Sequence, residues 1–120
     1  MTEYRTDIFA TNHPAVRSKT LAAAKDNDGL FEAALSETFE EAKALLIKKH
    51  LDYGPRNIAD APGGALNGLR VRMHDKTARI NHLIDNAADP ENESLRDSYL
   101  DLLNYAAIGL MVLDGNWPSD

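Results

Sequence analysis

Apolar residues recur at helical spacing through most of the chain. Between Leu30 and Tyr53 the residues Phe31, Leu35, Phe39, Ala42, Leu46 and Tyr53 share one face at about 100° per residue, which predicts a long helix. Gly54-Pro55 stops it, because Gly suits a helix C-terminus and Pro cannot continue the ladder. A loop from Arg56 to Gly64 follows, with Ala61-Pro62-Gly63-Gly64 as its turn. Leu66, Leu69, Met73, Ile80 and Leu83 then form the stripe of a second long helix, Ala65 to Ile84. A polar link, Asn86 to Asn92, leads to a third, from Asn92 or Glu93 to Asp114, with Gly115 as its stop and Pro118 beyond. Tyr53 and Tyr105 fall on inward faces, and Ala106 to Leu113 is apolar all round, so that half is expected to be buried on every side. Residues 1–29 form an arm: His13-Pro14 opens a short helix over Ala15–Lys25, and Asp26-Asn27-Asp28-Gly29 ends it. No run alternates β-branched or aromatic with polar residues. The expected fold is all-α, a small bundle of three long helices (residues 30–120) preceded by a short N-terminal helix.

Composition narrows the function classes. A chain of 120 residues supports one domain. At 43% hydrophobic and 27% charged it belongs with globular proteins. The net charge of −6, from 13 Lys+Arg and 19 Asp+Glu, argues against direct binding to duplex nucleic acid. With 0 Cys, disulfide scaffolds, thiol catalysis and cysteine-bound zinc are excluded, and a reducing cytoplasm is the expected setting. The polar start, Met1 to Asp7, has no signal-peptide core, and the longest apolar stretch, Tyr105 to Leu113, is short of the ~20 residues that span a bilayer, so no membrane partner is expected.

Some charges sit where apolar residues are expected. Lys49 lies inside the first stripe, between Leu46 and Tyr53. Lys76 takes the missing position in the second, flanked by Arg72 and Arg79, with Asp75 just beyond. On the last helix Glu93, Asp97 and Asp101 follow at i, i+4 and i+8, and the same side continues as Asn104, Ile108 and Met111. Like charges so spaced repel by about 0.2–0.5 kcal/mol per pair, and a carboxylate ladder turned toward protein needs cations. The four basic residues can neutralise it as a structural ion-pair network. Alternatively a divalent cation such as Mg²⁺ is held by oxygen ligands, leaving the bases for phosphates. Glu37, Glu40 and Glu41 add carboxylates on the first helix, where a solvated face is the simpler reading. His50, His74 and His82 lack metal-ligand spacing and are expected at the surface or in packing, and Trp117 is expected to pack the C-terminal tail. Gly63-Gly64 matches neither phosphate-loop fingerprint.

Three blocks carry a resemblance when taken together: Lys48 to Pro55 with Asn57; Gly68 to Met73 with Asp75-Lys76 and Arg79; and Asn92 to Leu95 with Asp97, Asp101-Leu102 and Asn104-Tyr105. In this order they resemble the nucleotide modification associated domain of type 1, a small helical domain common in phages, over residues 35–117. More distantly the chain is similar to the MazG-like all-α nucleotide pyrophosphohydrolases, which carry E-x-x-E and E-x-x-D pairs that bind Mg²⁺. Glu37 and Glu40 meet the first spacing; Glu93, Asp97 and Asp101 depart from the second. The resemblance implies a Mg²⁺-dependent hydrolase of (deoxy)nucleoside triphosphates working in the host cytoplasm if phage-encoded. In it Glu93, Asp97 and Asp101 would be the metal-binding and catalytic residues, and Lys49, Asp52, Tyr53, Asn57, Arg72, Lys76 and Arg79 would bind the nucleotide. The alternative is a non-catalytic module that binds a nucleotide or docks on a base-modification enzyme. Self-association, most simply as a dimer, is expected from the apolar end of the last helix.

Overall fold

The computed structural model describes residues 29–87, 89 and 93–119. Among them are four helices and no strand: α1 (Leu30–Tyr53), α2 (Arg56–Ala59), α3 (Ala65–Asp85) and α4 (Glu93–Leu113). The fold is thus the expected all-α bundle. The short helix expected within residues 15–25, and the arm it belongs to, lie outside the described residues. No helix among the described residues is long and apolar enough to cross a membrane.

α1 ends where the sequence places its stop. Gly54 adopts φ 74°, left-handed backbone that other residues resist, and its N–H donates to the His50 carbonyl at 2.8 Å. The segment after it is not all loop: Pro55 opens the single turn of α2, which puts Ile58, 4% exposed, into the core. A second close approach then fixes the start of α3. A Cβ on Gly68 would stand 2.6 Å from the Ala61 Cβ, so only glycine lets α3 lie this near the preceding turn.

α3 and α4 pack most closely, and α1 crosses α4. Ile58, Leu69 and Ile108 form the centre of the core, with Leu46, Ala65, Tyr105, Val112 and Trp117 half-buried around it. Asn104 is buried and ties two helices: its Nδ2 donates to the Ala42 carbonyl of α1 at 3.0 Å. Arg96 of α4 grips the Glu41 carboxylate of α1 with both terminal guanidinium nitrogens, at 2.5 and 2.7 Å.

Two packing expectations need correction. The α1 stripe is covered only where it meets α4, at Ala42 and Leu46; Phe31, Leu35, Phe39 and, at the other end, Tyr53 are exposed, as is Leu66 on α3. The C-terminal half of α4 is not buried on every side, since Leu110 and Leu113 are exposed. Both corrections have one reason: helices that cross bury short contacts, and a stripe longer than the contact stays open.

Candidate functional site

The crossing of α1 over α4, with α3 alongside, leaves a pocket of about 430 Å³. Lys49 and His50 enter it from the last turns of α1, Arg72 and Lys76 from one face of α3, and Asp101, Asn104 and Tyr105 from consecutive turns of α4. Tyr53, Asn57 and Trp117 complete the rim. Leu46, Ile58 and Ile108 supply its apolar floor, shared with the core.

Asp101 is the centre of the electrostatics. Its side chain is 15% exposed, and each oxygen has its own cation: Oδ1 accepts from Lys49 Nζ at 2.9 Å, and Oδ2 lies 3.0 Å from Lys76 Nζ. Burial pushes the Asp101 carboxyl up, but the hydrogen bonds and charges of the two lysines outweigh it and hold the group below the ordinary carboxylate value. Lys49 moves the other way. The hydrogen bond to Asp101 raises it above its usual value against the opposing effect of burial, helped by the nearby carboxylate charge. Both partners therefore stay ionised through the neutral range. Arg72, half-buried, donates from Nη2 to the Asn57 carbonyl at 3.2 Å, which points its guanidinium along the pocket's edge.

The aromatic wall is held from the chain's end. His50 meets Trp117 edge to face, with ring centroids 5.3 Å apart and planes at 76°. Trp117 Nε1 donates to the Pro55 carbonyl at 3.0 Å, tying the tail to the α1–α2 turn. His50 Nδ1 is buried with no hydrogen-bond partner. Trp117→Phe keeps most of the ring and loses the donor; it is expected to cost about 1 kcal/mol, read as a lower urea midpoint, with helix content unchanged.

The sequence-derived candidates divide cleanly. Lys49, Arg72, Lys76, Tyr53, Asn57 and Asp101 line the pocket. Asp52, Arg79, Glu93 and Asp97 are exposed and not among its lining residues. Of the carboxylate ladder only Asp101 is turned inward, and among the described residues no three acidic or histidine side chains gather as a metal group. Glu41 engages Arg96. Glu37 and Glu40 lie on the exposed N-terminal half of α1. The ion-pair reading of the ladder thus holds at Asp101, with Lys49 and Lys76 as its cations. His50, Asn104, Tyr105 and Trp117 join the site without having been candidates for it. Asn104 and Tyr105 lie one turn beyond Asp101, which is a local signal; the His50–Trp117 pair has none, since its members are far apart in the chain.

Comparison with family models, with curated proteins and with solved structures returns no match for this chain.

Proposed function

We propose that this chain binds a small phosphorylated ligand carrying an aromatic ring, in chemical class a nucleotide, in the pocket between α1, α3 and α4. One observation carries the reading: three cationic side chains and a wall of aromatic rings share one pocket. Lys49 and Lys76 suit point-charge contact with phosphate oxygens, and Arg72 suits bidentate contact. Tyr53, Tyr105 and the His50–Trp117 pair offer faces and edges to a base. The unpartnered His50 Nδ1 in the wall is a polar group that a ligand or water can complete. Asp101 pairs with both lysines, and a phosphate would compete with it for them.

The hydrolase implied by the sequence resemblance is the second reading. Its favouring observation is the same Asp101, a carboxylate beside the cations. The fit to Mg²⁺ is poor, however. Both Asp101 oxygens are engaged by lysines, and Glu93 and Asp97 lie outside the pocket lining. Steps of i+4 along a helix advance about 6 Å, so the whole ladder does not converge on one ion. Binding therefore leads over catalysis, and the phage nucleotide pathway in the host cytoplasm remains part of the proposal.

Isothermal titration of nucleoside mono- and triphosphates, in EDTA and then in Mg²⁺, tests both readings. Binding in EDTA is expected. It is expected to weaken by about 10- to 100-fold in Arg72→Ala or Lys76→Ala, the worth of a charge-assisted contact. Arg79→Ala, outside the pocket, is expected to leave affinity unchanged. The absence of any binding in EDTA overturns the leading reading, and pyrophosphate release that needs Mg²⁺ supports the second.

A further inference from the structure

Asn104 brings more to the pocket than its tie to α1 requires. Its side chain is 7% exposed and lines the pocket one turn beyond Asp101. The tie fixes which way round the amide sits. The Ala42 carbonyl can only accept, so the end 3.0 Å from it is the Nδ2 donor. The two ends of an amide point apart, so the Oδ1 acceptor is turned away from that carbonyl. Oδ1 receives no hydrogen bond from any of the described residues. It is not sealed off either, since the one buried side-chain atom without a partner among them is His50 Nδ1. Asn104 is otherwise packed, and the pocket is where its oxygen is reached.

The tie thus accounts for the donor of Asn104 and leaves the acceptor unused. In the free protein a water can donate to it. A ligand hydroxyl or N–H can take that water's place, whereas a ligand carbonyl, a bare ring nitrogen or a carbon leaves the oxygen unpaired. The acceptor therefore discriminates among ligands.

Its place along α4 says which donor it meets. Asp101 marks the level of Lys49 and Lys76, with which it pairs. Asn104 follows three residues later, about 4–5 Å along the helix axis. Tyr105 stands beside it, and Ile108 a turn further on belongs to the apolar floor. Along α4 the pocket offers cations, then an acceptor, then a ring and an aliphatic floor. A nucleoside 5′-phosphate has the same order: phosphate, hydroxylated sugar, aromatic base. Its sugar hydroxyls lie between the other two parts, and the amino groups on the edge of its base lie farthest from the phosphate.

We infer that Asn104 Oδ1 accepts a hydrogen bond from a sugar hydroxyl of the nucleotide, and so selects hydroxylated sugars over those that lack the group. The inference rests on the nucleotide reading of the pocket and adds the residue that reads the sugar. The α1 carbonyl holds the amide in place before a ligand arrives, so little ordering is needed on binding.

Isothermal titration in EDTA tests it, with the 5′-monophosphates of adenosine, guanosine, cytidine and uridine, each beside its 2′,3′-dideoxy counterpart. The unaltered chain is expected to bind the hydroxylated member about 3- to 10-fold more tightly, the worth of one hydrogen bond between neutral groups. In Asn104→Ala that ratio is expected to fall to about one, whatever the variant costs in overall affinity. A role confined to holding α1 against α4 would weaken every nucleotide alike and leave the ratio as it was. Purine riboside 5′-monophosphate, which lacks only the amino group of the adenosine compound, is expected to bind as tightly as that compound. Three results overturn the inference and leave the nucleotide reading standing: equal binding of hydroxylated and dideoxy forms by the unaltered chain, a preference that survives in Asn104→Ala, or a preference set by the amino group in place of the hydroxyls. If no monophosphate binds, the nucleotide reading falls and this inference with it. The comparison on the unaltered chain decides even if Asn104→Ala fails to fold.

Discussion

Replacing Asp101 with Asn is expected to weaken the fold and, at the same time, to tighten the binding of phosphate. The variant keeps the shape of the side chain and removes the charge that two lysines share. Breaking a fully buried ion pair costs about 3–5 kcal/mol. Here the Lys49 and Lys76 side chains are 44% and 29% exposed and regain water, so about 1–3 kcal/mol is expected. The pH dependence gives the loss a signature. Asp101 sits below the carboxylate value of 3.8, so its contribution is complete above that value and is lost as pH falls through the lower folded value. Lys49 sits above 10.5, so its contribution is complete below that value and is lost as pH rises through the higher folded one. Urea titrations across pH should therefore show a gap between the natural chain and Asp101→Asn that is widest from about pH 5 to 9 and closes toward both ends. A gap that ignores pH assigns the effect to packing instead. The ligand experiment has the opposite sign. With the competing carboxylate gone, Lys49 and Lys76 are free for a phosphate, and affinity in EDTA rises; under the hydrolase reading the same variant loses turnover.

Leu69→Ala carries the largest expected loss of stability. Leu69 is 3% exposed and lies in the cluster with Ile58 of α2 and Ile108 of α4, so its side chain joins three helices. Gly109 of α4 lies over it: a Cβ built there would stand 4.0 Å from Leu69 Cδ1, an ordinary packing distance. Truncation removes the transfer energy of the lost carbons and leaves a cavity, about 2–5 kcal/mol in sites of this kind. Domains have about 5–15 kcal/mol in all, so the urea midpoint should fall sharply. Val71→Ala, on the same helix but 52% exposed, should stay within about 0.5 kcal/mol. Ile108 is both a neighbour of Leu69 and part of the pocket floor, so a loosened core is also expected to lower ligand affinity. Equal effects at Leu69 and Val71 would contradict this account of the core.

The long helices were legible because their ends are chemical. Gly54-Pro55 and Gly115 stop a helix whatever surrounds it, and α1 spans Leu30–Tyr53 as its periodicity predicts. α2 was not legible: one turn is too short to show a period, and Ile58 matters only because the core is there to receive it. Misplaced charges were the local sign of the ion-pair cluster at Asp101. Lys49 and Lys76 interrupt apolar stripes, and both face Asp101.

What the sequence determined by itself is local: which segments are helical, where they stop, that they bury apolar faces, and which cations lie on those faces. The tertiary structure alone decided which rung of the acidic ladder turns inward, that His50 meets Trp117, and how much of each stripe finds cover. The physical reason is that periodicity records a preference to leave water without naming what provides the shelter. A crossing angle between helices, which no local pattern encodes, then selects Asp101 over Asp97 and leaves Phe31 and Leu110 open.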